Sequence, residues 1–232
     1  MLGKDINYGV KKWLYTTHNR SGRSKERVRV VWWENDTAAV ARSEGNRVIY
    51  FPKLVDDQDY SANLFDCYLG YALHELGHVW YTDNEPWDWV YFNQTRRLYQ
   101  LVNGLEDVRI EKKIIDSGLI PNSKYLFERI INYKLWDKGY VKPNALHQMP
   151  FLVAVEGRRL NGYQIKAPSI LDRALLRREI WWGLKEARKA ENTEDIVRTA
   201  TELQRRLEEL DYGYVVTNCW NQINTILLQR ES

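Results

Sequence analysis

The sequence predicts an α+β fold, with a small N-terminal sheet and a mainly helical remainder. Two observations carry this. Short β-branched and aromatic runs separated by turn residues occupy the chain up to Pro52. From Ser61 the apolar period changes from two to about 3.6 and stays helical. Strands followed by helices argue α+β rather than alternating α/β.

The elements follow in order. MLGKDINYGVKKW has no long apolar core, so no secretory signal is expected. Thr17 to Arg27 (THNRSGRSKER) is polar, basic and Gly/Ser-containing, and reads as a solvated surface loop. Arg27 to Trp33 (RVRVVWW) is a strand, and ENDT is a turn. Ala38 to Pro52 reads as a hairpin turning at Ser43 to Asn46. Pro52 either ends its second arm or marks an edge.

Ser61 is an N-cap candidate. It precedes an apolar stripe through Leu64, Tyr68, Leu69, Leu73, Leu76 and Trp80. TDNEPWDW interrupts, with Asn84 or Glu85 as a cap and Pro86 in the next first turn. That pattern runs to Ile115 and stops at Asp116-Ser117-Gly118. Its length predicts a break between Phe92 and Thr95. Further helices are expected at Lys124 to Trp136, Ser169 to Ala190, Thr193 to Leu210 and Thr217 to Gln229. Ile196, Ala200, Leu203, Leu207 and Leu210 form a stripe that reads as core.

With 232 residues, 44% of them hydrophobic, the chain can bury a sizeable core. A formal charge of +3 is too small to argue for nucleic acid as the partner, despite Arg20, Arg23, Lys25 and Arg27. Cys67 and Cys219 form no CxxC pair, which excludes a cysteine zinc ribbon, and Cys67 reads as a small buried hydrophobe. No window approaches the length of a membrane span. An intracellular protein with no membrane contact is expected, in the cytoplasm.

The chemistry centres on ALHELGHVW, Ala72 to Trp80. Residues four apart on a helix share a face, so His74 and His78 can point ring nitrogens at one ion. Glu75 lies about a quarter-turn away, where a general base for a metal-activated water belongs. Gly77 costs a helix about 1 kcal/mol relative to Ala, which a close backbone approach would justify. Catalytic zinc takes a third protein ligand and keeps one position open. Asn103 to Glu111 (NGLEDVRIE) offers Glu106 and Asp107 on a following helix. Glu106 has apolar Val102 and Ile110 one turn away, which favours it as the ligand. Asp107, with Asn103 and Glu111 one turn away, is the alternative. The other acid would orient a histidine, with Arg109 and Glu111 completing a polar layer.

His74-Glu75-x-x-His78 followed by Glu106 resembles the gluzincin branch of zinc metallopeptidases. More narrowly, NRVIYFP, ALHELGHVWYT and NGLEDVRIE resemble metallopeptidase-like domains found in tailed-phage proteins and in cobaltochelatase-type subunits that precede a von Willebrand A domain. The resemblance covers Asn46 to Gly118. The stretch from His78 to Glu106 is longer than in the best-known gluzincins, so TDNEPWDWVYF reads as an inserted loop at the cleft. An aspartate often found four residues after the ligand glutamate is Ile110 here, which keeps Asp107 open.

The resemblance implies a zincin-like catalytic core over 1–120, with an active-site helix and a third-ligand helix, and a helical subdomain over 121–232 packed on it. It implies Zn2+, a protein or peptide substrate, and hydrolysis with Glu75 as general base. It implies an edge strand along which a substrate pairs, and NRVIYF takes that place. The oxyanion donor would be His147, or one of Tyr125, Tyr133 and Tyr140. Trp87 and Trp89 would form a substrate rim or pack internally. A phage source would place the protein in host cytoplasm or virion. The rival reading is a non-catalytic zincin scaffold serving virion assembly or interaction.

Overall fold

The computed structural model describes residues 1–34, 39–43, 46–133, 149–165 and 174–209. In chain order the elements are α1 (Gly3–Ser21), β1 (Val28–Trp33), β2 (Ala39–Ser43), β3 (Asn46–Pro52), α2 (Ala62–Tyr81), α3 (Asn84–Asn93), α4 (Arg96–Ser117), α5 (Ser123–Asn132), α6 (Met149–Leu160), α7 (Ala174–Lys189) and α8 (Thr193–Glu209). Strands precede most of the helices, and the class is α+β. The chain divides into two compact units. One is Met1–Tyr81 with Lys113–Ile130, and the other is Thr82–Lys112 with Ile131–Ser232.

In the first unit, α1 is an element the sequence reading lacked. Ile6, Val10, Leu14 and His18 recur every fourth residue, and all are buried. The helix ends at Gly22, whose φ of 61° suits a left-handed C-terminal cap. Thr17 to Ser21, expected in a surface loop, are therefore the last turn of α1, and only the residues from Gly22 onward leave the helix. The polar composition concealed the stripe because its fourth member is a histidine.

The three strands pair in the order β1-β3-β2. β2 and β3 are the expected antiparallel hairpin, with Ala39 opposite Tyr50 and Ser43 opposite Asn46. β1 runs parallel to β3, with Val28 opposite Arg47 and Trp33 opposite Pro52. This corrects the placement of NRVIYF as the substrate-pairing edge. Among the described residues both sides of β3 are taken, and the outer edges belong to β1 and β2. Val48, Ile49 and Phe51 are buried, and such a near-continuous apolar run suits a central strand. Pro52 ends β3, at the one place in an inner strand where its missing N–H costs little.

α2 begins directly after Ser61. From Gly70 to Trp80 all its residues except His74 are buried, as befits a helix enclosed on most sides. A β-carbon at Gly70 would lie 2.5 Å from the Leu126 carbonyl oxygen, so the glycine admits the backbone of α5. Cys67 is buried, as expected.

In the second unit, TDNEPWDWVYF is not an inserted loop, because Asn84–Asn93 form α3 with Pro86 in the first turn. The expected break falls between Asn93 and Arg96. Ile196, Ala200, Leu203 and Leu207 of α8 are buried in a core with Val102 and Leu105 of α4 and Ile180 and Leu184 of α7. Gly157 of α6 lies against Val108 of α4, where no β-carbon would fit. α6 was not foreseen as a helix. The starts of α3 and α8 are tied reciprocally. The Asp83 N–H donates to Thr193 Oγ1 at 2.7 Å, and the Thr193 N–H donates to Asp83 Oδ2 at 2.9 Å. Each residue thus satisfies a helix-terminal group of the other. No helix among the described residues is long and apolar enough to cross a membrane.

Candidate metal centre

α2 carries His74 and His78 one turn apart, with ring centroids 5.1 Å apart and planes at 83°. His78 and Glu75 are buried, at 7% and 5% exposure, whereas His74 is partly exposed. A carboxylate this deep, one residue from a histidine, is costly unless it serves a purpose or meets a partner.

The turn that follows is anchored by residues the sequence reading passed over. Trp80 Nε1–H donates to His18 Nδ1 at 3.2 Å. His18 Nε2 lies 2.9 Å from the Glu26 carbonyl oxygen. A nitrogen that accepts from indole is unprotonated, so Nε2 carries the proton and donates to Glu26. His18 is thereby committed to structure. Tyr81 has the Arg23 guanidinium 5.3 Å and the Lys113 ammonium 5.7 Å from its ring centre. Burial raises its phenol pKa, against the pull of Arg23 and a bond with Ser117.

The second unit carries the acids, all on α4. Glu106 is wholly buried and accepts four hydrogen bonds. Thr82 and Thr193 donate through their hydroxyls at 2.7 and 3.1 Å. Arg109 donates through Nη2 at 2.6 Å and Nε at 2.8 Å, gripping both carboxylate oxygens. Arg109 is itself 1% exposed and also donates to the Glu191 carbonyl. Three of the four bonds to Glu106 fall on Oε1 and one on Oε2, and they join α4 to the starts of α3 and α8.

Asp107, one residue on, is 9% exposed. Arg158 of α6 approaches its Oδ2 to 3.6 Å. The same guanidinium is held by Glu111, with Nη2 2.6 Å from Oε1 and Nε 3.1 Å from Oε2. The Tyr163 hydroxyl completes the group, donating to Glu111 Oε2 at 2.8 Å. Burial works against the charge of Arg158, but Glu111 and then Asp107 hold its pKa above the ordinary range. Of the two residues expected in a polar layer, Arg109 pairs with Glu106 and Glu111 with Arg158. Arg158 and Tyr163 were missed, and no local signal points to them, since Glu156-Gly157-Arg158-Arg159 reads as a solvated basic turn.

The remaining candidates divide. His147 and Tyr140 lie outside the described residues, as do Cys219 and the helix expected at Thr217 to Gln229. Tyr125 is 47% exposed, and its hydroxyl donates to Asp66 Oδ2 at 2.7 Å. Asp66 precedes His74 by two turns of α2, about 12 Å along the axis, so Tyr125 is not brought to the histidines. Tyr133 is partly buried, just after α5. Trp87 packs edge-on against Tyr99 at 5.6 Å, whereas Trp89 is 50% exposed.

No family model, curated protein or solved structure matches this chain.

Proposed function

We propose that this protein is a zinc-dependent metallopeptidase on a zincin-like scaffold. The observation that carries the reading is the pair of imidazoles on successive turns of α2 with the buried Glu75 carboxylate beside them. The third ligand is Asp107 rather than Glu106, because four hydrogen bonds already engage Glu106. His74 and His78 each offer a ring nitrogen from α2, and on this reading Asp107 of α4 adds a carboxylate oxygen as the third ligand. Two imidazoles and a carboxylate suit zinc better than calcium or magnesium, which prefer all-oxygen sites. Buried Glu106, Arg109, Asp107 and Glu111, with partly buried Arg158, sum to one negative charge, the sign that a cation offsets.

Bound zinc would polarise a substrate carbonyl and lower the pKa of water from about 16 to roughly 7. Glu75 then takes a proton from the attacking water as the C–O bond forms. It returns that proton to the amine as the peptide C–N bond breaks.

The test is the Glu75→Gln variant, assayed for zinc by elemental analysis and for cleavage of an unfolded protein substrate. Zinc should stay at one ion per chain while cleavage falls at least 100-fold. His74→Ala and His78→Ala should each lose the ion. Cleavage retained in Glu75→Gln would refute the mechanism. Zinc bound to a wild-type chain that cleaves nothing would favour a non-catalytic scaffold.

A further inference from the structure

Beside the acids of α4 lies a group that the proposed chemistry does not use. Glu111 and Asp107 are four apart on one helix face, where like charges repel. Arg158, from α6, stands against both. Three bonds fix its guanidinium on Glu111, and Nη2 also lies 3.6 Å from Asp107 Oδ2. Tyr163, just beyond α6, holds Glu111 from a second side. The chain Tyr163–Glu111–Arg158–Asp107 therefore runs from a locked phenol to the proposed ligand. Every member is buried or nearly so.

We propose that Arg158 is a positioning residue for the metal centre. Locked by Glu111 and Tyr163, it holds Asp107 by Oδ2 and so sets the carboxylate to bind the ion through its other oxygen. This rests on the reading of Asp107 as a ligand. Arginine suits the task because its planar fork serves two carboxylates at once, which an ammonium on a flexible stem does less well. Groups that orient a ligand in this way typically contribute 10–100-fold to metal affinity.

The test is zinc affinity of the full chain, measured by competition with a chromophoric chelator. Arg158→Met leaves Glu111 buried beside no guanidinium and can fail to fold, so it is paired with Arg158→Met/Glu111→Leu, which removes both charges together. Arg158→Lys is the conservative variant. Leu203→Ala, in the core of the same unit, controls for loss of stability alone. The double variant should bind zinc about 10–100-fold more weakly than wild type. Arg158→Lys should recover part of that loss, and Leu203→Ala should keep wild-type affinity. Wild-type affinity in the folded double variant would overturn the role of Arg158 while leaving the metal centre intact. An equal loss in Leu203→Ala would overturn it as well, by showing that general softening suffices. A wild-type chain that binds no zinc would remove both this role and the metallopeptidase reading.

Discussion

Replacing Glu106 and Asp107 in turn separates structure from ligation. The two acids are adjacent, yet their surroundings predict opposite phenotypes. Glu106→Ala strips the carboxylate from a buried guanidinium and from two threonine hydroxyls. Breaking a buried pair by removing one partner costs about 3–5 kcal/mol, because the other charge stays behind. Asp107→Ala removes a 3.6 Å partner from Arg158, which keeps its bonds to Glu111. That loss should be about 1 kcal/mol in chelator. Added zinc narrows the gap between the two variants. Free zinc at 100 times its dissociation constant stabilises a binding protein by about 2.7 kcal/mol. Wild type and a folded Glu106 variant should show that gain, and Asp107→Ala should show almost none. The assay is urea unfolding followed by tryptophan fluorescence, in chelator and in buffered zinc. Glu106→Gln, which keeps the side-chain shape, supplies a milder companion. A zinc gain in Asp107→Ala together with none in Glu106→Gln would refute the assignment and return the ligand role to Glu106.

Four further outcomes follow from single contacts. His18→Ala leaves the Trp80 N–H without its acceptor and should cost about 1–3 kcal/mol while zinc stays bound, as calorimetry and elemental analysis would show. Gly70→Val drives a side chain into the Leu126 carbonyl and should cost about 1–3 kcal/mol, read as a lowered Tm. Thr193→Val removes the acceptor of the Asp83 N–H and a donor to Glu106, a loss of about 1–2 kcal/mol by urea unfolding. Hydrogen bonds from Arg205 and Arg206 hold the Glu202 carboxyl down at about 2. A depressed carboxylate stabilises the fold above its unfolded pKa of about 4.3, and that contribution fades as pH falls toward 2. A carbon-detected NMR titration that places Glu202 near 4.3 in the folded protein would count against this network.

Much of the first unit was legible because its signals are local. β2 and β3 were readable from their strand residues, and α2 from a dense apolar stripe that brackets the histidines. Strand order was not, since nothing in RVRVVWW says that it will pair in parallel with NRVIYFP. The consecutive burial of Val48 and Ile49 is the trace that a central strand leaves, and in a run this short it is easily taken for an edge. α1 escaped for the opposite reason, because a stripe closed by His18 looks polar until Trp80 is seen to satisfy the ring. Arg158 was beyond reach, as its partners lie on α4, far from it in sequence.

The sequence itself separates the surroundings of Glu106 from those of Asp107. Apolar neighbours make a buried carboxylate costly, and Arg109 three residues after Glu106 relieves that cost. The relief cuts against ligation. A carboxylate with a guanidinium one turn along its own helix has its charge balanced and its lone pairs engaged before any ion arrives. Asp107 has Ile110 and Glu111 at the same offsets, so its own helix offers it no cation. Its neutralising charge must come from outside that helix. Arg158 supplies part of it at 3.6 Å, while three shorter bonds to Glu111 claim the same guanidinium. On the proposed reading NGLEDVRIE divides into an anchor and a ligand: the acid paired by the i+3 arginine holds the helices together, and the acid beside it would be the one that a metal completes.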